Sequence, residues 1–200
     1  MTKFNTDRIV GVYAPSRYGK TNVLANLIST IPIPIIIFDT NLEWTKRPEL
    51  IKKISGRGVL VASPQTKQQM SSIAFLNKFI KEVRNNASNI IIYIEDLEVF
   101  FNEKSNPKDF FGEIKDLAER GGHSNISLWY SSKQLKYIPR TVISNTNLFY
   151  FGSFMEREDI NLANNLCSPE YDVRKINKPN FIRVDRWDMS KKIVCFDKVF

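Results

Sequence analysis

Cysteine is nearly absent from this 200-residue chain: Cys167 and Cys195 are the only two, and they form no CxxC pair. That excludes a cysteine-based zinc site and leaves at most one Cys167–Cys195 bridge, of the kind some hyperthermophile proteins carry in the cytosol. Long apolar runs are missing as well. Ile31–Phe38 and Ile90–Ile94 are among the longest, far too short to cross a bilayer, so no direct transmembrane segment is expected. The opening "MTKFNTDR" lacks the apolar core of a cleaved signal peptide. The chain reads as intracellular. Histidine occurs once, at His123; a lone histidine is more often structural than catalytic, and none of the chemistry below is assigned to it. Acids vanish from one long stretch: no Asp or Glu falls between Arg120 and Met155, although the chain has 21 of them, while Arg120, Lys133, Lys136 and Arg140 lie inside.

What is present is ordinary for a globular chain, with 42% hydrophobic and 25% charged residues. The length suits one fairly large domain with a sizeable core. No repeat, low-complexity tract or linker divides it, so a single domain over 1–200 is expected. The net charge of +8 fits either plain solubility or a polyanionic partner. The acid-free stretch favours the second, because a surface that meets an anion must not repel it.

Apolar patterning alternates strand and helix. Short apolar runs at Ile9–Tyr13, Ile33–Phe38, Val59–Ala62, Asn89–Ile94, Ile126–Tyr130 and Leu148–Phe151 read as strands. Helical spacing appears over Thr21–Ser29, Pro48–Ile54, Ser72–Asn85 and Glu156–Leu166. A further helix is expected to be capped by Asn106-Pro107, to carry Phe110, Phe111, Ile114, Leu117 and Ala118 on one face, and to stop at Gly121-Gly122. The tail "FIRVDRWDMSKKIVCF" reads as a β-hairpin. Trp44, Trp129 and Trp187 are expected to pack rather than to stack on bases. The pattern implies an α/β fold with three layers around a mostly parallel central sheet and a C-terminal β-hairpin.

The first strand leads into Ala14-Pro15-Ser16-Arg17-Tyr18-Gly19-Lys20-Thr21-Asn22. This fits the Walker A phosphate loop, with Ala14 in place of the first glycine. Such a loop curls its backbone N–H groups toward phosphate oxygens, and the following helix adds its positive end. Gly19 permits close approach, Lys20 reaches the β- and γ-phosphates, and the Thr21 hydroxyl ligates Mg²⁺. A chance match is the plain alternative, but the strand before and the helix after are what the mechanism requires. ATP and Mg²⁺ are therefore the expected ligands.

ATP hydrolysis also needs acids across the cleft. Glu95 and Asp96 follow the strongest strand, in "NIIIYIEDLEVFF", and read as a Walker B pair, Glu95 on the metal and Asp96 polarising water. A solvated strand end is the competing reading. A second acid disfavours a small-molecule kinase, where it would activate water wastefully.

The next segment, "LAERGGHSNISLWYSSKQLKYIPRTVISNTNLFYFGSF", carries Arg120 before a Gly-rich turn, Gln134 at a strand end, and a P-R-x-x-x-S-N run. Over residues 8–155 this order resembles the FtsK–HerA superfamily of DNA-pumping ATPases. It is most similar to the viral genome-packaging branch, with the compactness of the packaging ATPases of Sulfolobus turreted icosahedral viruses. The resemblance implies a RecA-like (ASCE) P-loop NTPase that assembles into a homo-oligomeric ring. It implies a motor that translocates double-stranded DNA into a preformed capsid, docked on a capsid vertex or a membrane-associated capsid protein, in the host cytoplasm or with the virion. Gln134 would then sense the γ-phosphate. Arg120 would be an arginine finger, with Arg140 and Arg17 as substitutes, and Lys104, Lys108, Lys133, Lys136 and Arg140 would meet the DNA backbone. Cellular relatives usually read Asp-Glu where this chain has Glu95-Asp96. A conjugation- or recombination-type DNA translocase, a non-translocating nucleotide switch or scaffold, and a nucleoside or nucleotide kinase are the rival readings. The tail after residue 155 supplies no motif.

Overall fold

Near-continuous aliphatic runs suit strands covered on both faces, and the longest of them, Ile-Ile-Ile-Tyr-Ile at 90–94, is buried at every position. The structure, a computed structural model, describes residues 9–54, 58–66, 69, 72–101, 112–121, 125–167 and 169–196. One sheet is built from β1 (Val10–Tyr13), β2 (Ile35–Phe38), β3 (Val59–Ala62), β4 (Ile90–Ile94), β5 (Ile126–Ser132), β6 (Leu148–Phe151), β7 (Asn180–Asp185) and β8 (Lys191–Cys195). Their order is β3-β2-β4-β5-β1-β6-β7-β8. The first six run parallel, and β7 and β8 are added antiparallel. The expected C-terminal hairpin is thus present, as the edge of the main sheet.

Helices α1 (Lys20–Ser29), α2 (Pro48–Ile54), α3 (Ile73–Asn86), α4 (Glu113–Arg120), α5 (Arg140–Asn145) and α6 (Arg157–Leu166) supply the outer layers. Val23, Leu24 and Ile28 of α1 and Leu50 of α2 share one apolar cluster with Ile35, Ile37, Ile91 and Trp129. On the opposite face Leu76, Ile80, Leu117, Val142 and Ala163 meet Phe38, Ile92 and Leu128. Alternate residues of the inner strands β1, β2 and β4–β7 therefore feed two separate cores, which makes three layers. Among the described residues no helix is long and apolar enough to cross a membrane.

Three differences from the sequence reading bear on the site. β5 runs two residues past Tyr130, because Ser131 and Ser132 continue the pairing with Val12 and Tyr13. The Pro139-Arg140 run opens a six-residue helix, α5, too short to show an apolar period. Leu97–Phe100 forms a 3₁₀ turn straight after the acid pair. Trp44 and Trp129 are buried in the core, while Trp187 lies 48% exposed on the hairpin turn. Lys104, Lys108, His123, Gly122 and the Asn106-Pro107 helix start lie outside the described residues.

Cys167 and Cys195 are both free thiols, the first buried and the second exposed. Burial pushes the Cys167 thiol up to about 12, with Lys191 pulling weakly the other way, so its reactive thiolate is scarce. A maleimide should therefore label one thiol, Cys195, in the native protein and two after denaturation, as counted by intact mass.

Candidate active site

The expected phosphate loop sits where β1 ends. Gly19 has φ 114°, a left-handed conformation that glycine adopts without a Cβ clash, and it leads directly into α1. The first turn of α1 carries no acid, so its N–H groups and positive end face outward uncompensated. Ala14 is fully buried, and its backbone N–H donates to the Ser132 carbonyl at 3.1 Å. The methyl that replaces the usual glycine is accommodated by Gly152: a Cβ there would stand 2.8 Å from Ala14 Cβ and 2.7 Å from Tyr18 Cε1.

Lys20 is buried and its ammonium reaches back over the loop, donating to the Ala14 carbonyl at 3.0 Å and the Pro15 carbonyl at 3.4 Å. It also lies 3.8 Å from Asp96 Oδ1. Burial lowers its pKa, opposed by the charges of Asp96 and Glu98. The acid pair is not on a neighbouring strand. β5 lies between β1 and β4, and Lys20 reaches past its end.

Asp96 follows β4 in a left-handed conformation, φ 45° and ψ 57°. Its N–H donates to Ser131 Oγ at 3.0 Å. Its carboxylate is held by Lys133 Nζ at 2.5 Å from Oδ2 and by a short hydrogen bond from the Asn41 amide. Glu95 points into a drier place. Burial, then a hydrogen bond and charge shared with Asp39, push its carboxyl up to about 10. Asp39, at the end of β2, accepts on Oδ2 from Thr45 N–H at 2.8 Å and Thr45 Oγ1 at 2.7 Å. Among the described residues Glu95 Oε2 and Asp39 Oδ1 are buried without a hydrogen-bond partner, a setting that disfavours the charged form of Glu95. Glu98, buried in the 3₁₀ turn, is raised to about 6 by burial and by Asp96.

Residues 16–22 line one cavity of about 550 Å³ together with Glu95, Asp96 and Lys133, a volume that suits a nucleotide-sized ligand. Its far wall comes from the tail, where Lys178, Pro179, Phe181 and Phe196 face the loop. Tyr18 anchors this wall. Its hydroxyl donates to the Ile176 and Asn180 carbonyls at 3.1 and 3.2 Å, and its ring meets Phe181 edge-on at 5.2 Å. Lys178 Nζ donates to the Arg17 carbonyl at 2.5 Å.

The remaining expected residues lie elsewhere. Gln134 is outside this cavity and donates to Glu156 Oε1 at 2.8 Å, while Lys136 pairs with Glu156 at 2.8 Å. Arg140 is exposed at the start of α5. Arg120 ends α4 with a side chain 70% exposed, 3.5 Å from Asp116. It precedes β5, whose other end abuts the phosphate loop, so roughly 20 Å of strand separates Arg120 from its own subunit's loop. Sequence reasoning missed Asp39, Asn41, Glu98 and Lys178. Asp39 alone carried a signal, an acid ending an apolar strand as Glu95 does.

Thr21 and Glu95 line the same cavity, and Glu95 Oε2 is a buried oxygen without a partner among the described residues, a hard donor set that fits Mg²⁺. Among the described residues no three His, Cys, Asp or Glu side chains gather to hold a metal. A magnesium ion here would thus complete its shell with phosphate oxygens and water, as it commonly does.

No protein-family model matches the chain, and no curated protein matches it. Solved structures do. The genome packaging NTPase B204 of Sulfolobus turreted icosahedral virus 2, solved with ATP-gammaS, superposes with a TM-score of 0.73 at 17% identity, over 98% of this chain and 100% of that one. The DNA-packaging ATPase B204 of Sulfolobus turreted icosahedral virus gives the same figures. EssC (ATPases 2 and 3) of Geobacillus thermodenitrificans superposes at 0.69 and 14% identity, over 96% of this chain and 40% of that one. This is the RecA-like P-loop ATPase fold. The viral packaging ATPases to which the motifs pointed are thus among the chain's structural neighbours.

Two outcomes follow from this site. Gly152→Ala should weaken nucleotide binding and lower stability by about 1–3 kcal/mol, the usual cost of overpacking, measured by titration calorimetry and denaturant unfolding. Glu95 is the pH-dependent element. Its folded pKa lies above its ordinary value, so the folded state keeps a proton that the unfolded chain loses as pH rises. Its contribution to stability is present in acid and declines between about pH 4.5 and pH 10. Glu95→Gln should then melt higher than wild type near neutral pH, by about 2–4 °C per kcal/mol relieved, with the difference vanishing toward about pH 4. Thermal scans in chelator without nucleotide measure it.

Proposed function

We propose that the protein is an ATP-hydrolysing motor that translocates double-stranded DNA, packaging a viral genome into a preformed capsid. The observation that carries the enzymatic part is the convergence of residues 16–22, Glu95 and Asp96 on one cavity. The packaging part is supported by the likeness to B204, by the net charge of +8 and by the acid-free stretch from 120 to 155. Its place would be the host cytoplasm or the virion.

In this reading the loop N–H groups and the helix end bind the phosphate chain, with Lys20 on the β- and γ-phosphates. Thr21 and Glu95, backed by Asp39, would hold Mg²⁺, which when bound neutralises phosphate charge. Asp96 polarises a water whose oxygen attacks the γ-phosphorus. The bond to the β–γ bridging oxygen breaks, ADP leaves with the electron pair, and the water proton passes to a carboxylate. Arg120 cannot serve its own subunit's site across the length of β5, which supports insertion into a neighbour's site within a ring. The loop after β5, with Gln134, Lys136 and Arg140, would couple hydrolysis to motion against the DNA backbone, where phosphates are gripped without reading bases.

One rival has an observation of its own. Thermomonospora curvata EccC, solved with a signal sequence peptide, superposes at a TM-score of 0.64 over 98% of this chain and 37% of that one, at 11% identity. That supports a motor that handles a polypeptide.

The deciding experiment is Mg²⁺-dependent ATP hydrolysis with and without duplex DNA. DNA should accelerate wild type. Arg120→Ala should bind ATP normally and lose on the order of 10³-fold in kcat, and mixing it with Lys20→Ala subunits should restore part of the rate. Hydrolysis indifferent to DNA at every oligomer-promoting condition would sink the DNA motor.

A further inference from the structure

Lys133 is the site residue that no motif accounts for. The family resemblance placed it among cations meeting DNA, yet its ammonium is on the cavity wall, 2.5 Å from Asp96 Oδ2. Its side chain is 36% exposed, and that of Asp96 is 4% exposed. Its backbone N–H donates to Glu98 Oε1 at 3.1 Å. The main chain of Lys133 is therefore pinned by one buried acid while its flexible four-carbon stem carries the charge to another.

Asp96 thus faces two ammonium groups, Lys133 on Oδ2 and Lys20 on Oδ1. Glu98 adds its charge beside both, so two carboxylates balance two ammoniums. An incoming dianionic phosphoryl group can therefore compete with Asp96 for the more exposed ammonium, that of Lys133. The Lys133 ammonium and the Asn41 amide both engage Oδ2, so that oxygen has no lone pair left to orient a water.

We propose that Lys133 is a catalytic residue that senses the terminal phosphate. Its ammonium pairs with Asp96 when the nucleotide has no γ-phosphoryl group and moves onto the γ-phosphate oxygens when one is bound. The exchange frees Asp96 to polarise water only while a triphosphate is in place. This inference rests on the nucleotide-binding reading above and adds the residue that distinguishes triphosphate from diphosphate.

The test is calorimetric binding of ADP and the non-hydrolysable AMPPCP to the full chain, for wild type, Lys133→Met and Lys133→Arg. Losing a charge-assisted hydrogen bond to phosphate should weaken AMPPCP binding by Lys133→Met about 10- to 100-fold, with ADP affinity little changed and Lys133→Arg restoring most of the loss. Single-turnover hydrolysis should fall in the Met variant even when nucleotide saturates. An unchanged AMPPCP-to-ADP affinity ratio in both variants overturns the proposal. So does loss of the DNA-stimulated rate alone, which would return Lys133 to the DNA surface. Should Lys133→Met fail to fold, wild type with ¹³C-methylated lysines reads the same point, its Lys133 signal assigned with the Arg variant. That signal should move with AMPPCP and not with ADP, and a signal moved equally by both refutes the idea. Failure of the underlying reading looks different: wild type would bind neither nucleotide, or Lys20→Ala would bind both unimpaired.

Discussion

The distance between the phosphate loop and the acids is set by one strand. β5 is hydrogen-bonded to β1 on one side and β4 on the other, so the loop and the acid turn stand two inter-strand spacings apart, about 9–10 Å. Its last residues bridge that gap. The Ser132 carbonyl accepts from Ala14, Ser131 Oγ accepts from Asp96, and Lys133 reaches the Asp96 carboxylate. Without this strand between them, Lys20 and Asp96 would crowd, and the cavity between the loop and the acid turn would close. Ser131 and Ser132, by which β5 outruns its apolar stretch, bridge the gap together with Lys133 just past its end.

Burying this much charge works against stability. Glu95, Asp96, Glu98, Asp39 and Lys20 are all less than a tenth exposed, and the desolvation of such groups is only partly returned by their mutual attraction. The fold tolerates it because the surrounding layers are aliphatic and closely fitted on both faces of the sheet. Sites that bind and activate a substrate commonly carry a cost of this kind, which the rest of the domain offsets.

The cavity has a second support that lies far from the motifs in sequence. The segment 176–181 holds Tyr18 through two carbonyls and a ring contact, and Lys178 reaches the loop backbone at Arg17. The hairpin therefore extends the sheet and also closes the pocket. Gly152 makes room for both Tyr18 and the Ala14 methyl, so the departure from the usual first glycine is matched by a glycine 138 residues later.

Local periodicity determined the alternation of strands and helices, the doubly covered sheet, the phosphate loop before a helix and the acid pair after a strand. These are readable because a strand or helix records its own environment within a few residues. The order of strands is another matter, since it depends on which runs pair across the whole chain. That order seats β5 between the loop and the acids, sends Arg120 to the opposite end of the sheet, and turns Gln134 toward Glu156 while Lys133 meets Asp96. It also sets Asp39 against Glu95 and folds a tail without a motif over the loop. Residue types and spacings named the chemistry of the site. Only long-range packing decided which neighbours surround each charged group, because burial and partner distance are properties of the assembled sheet and of no single segment.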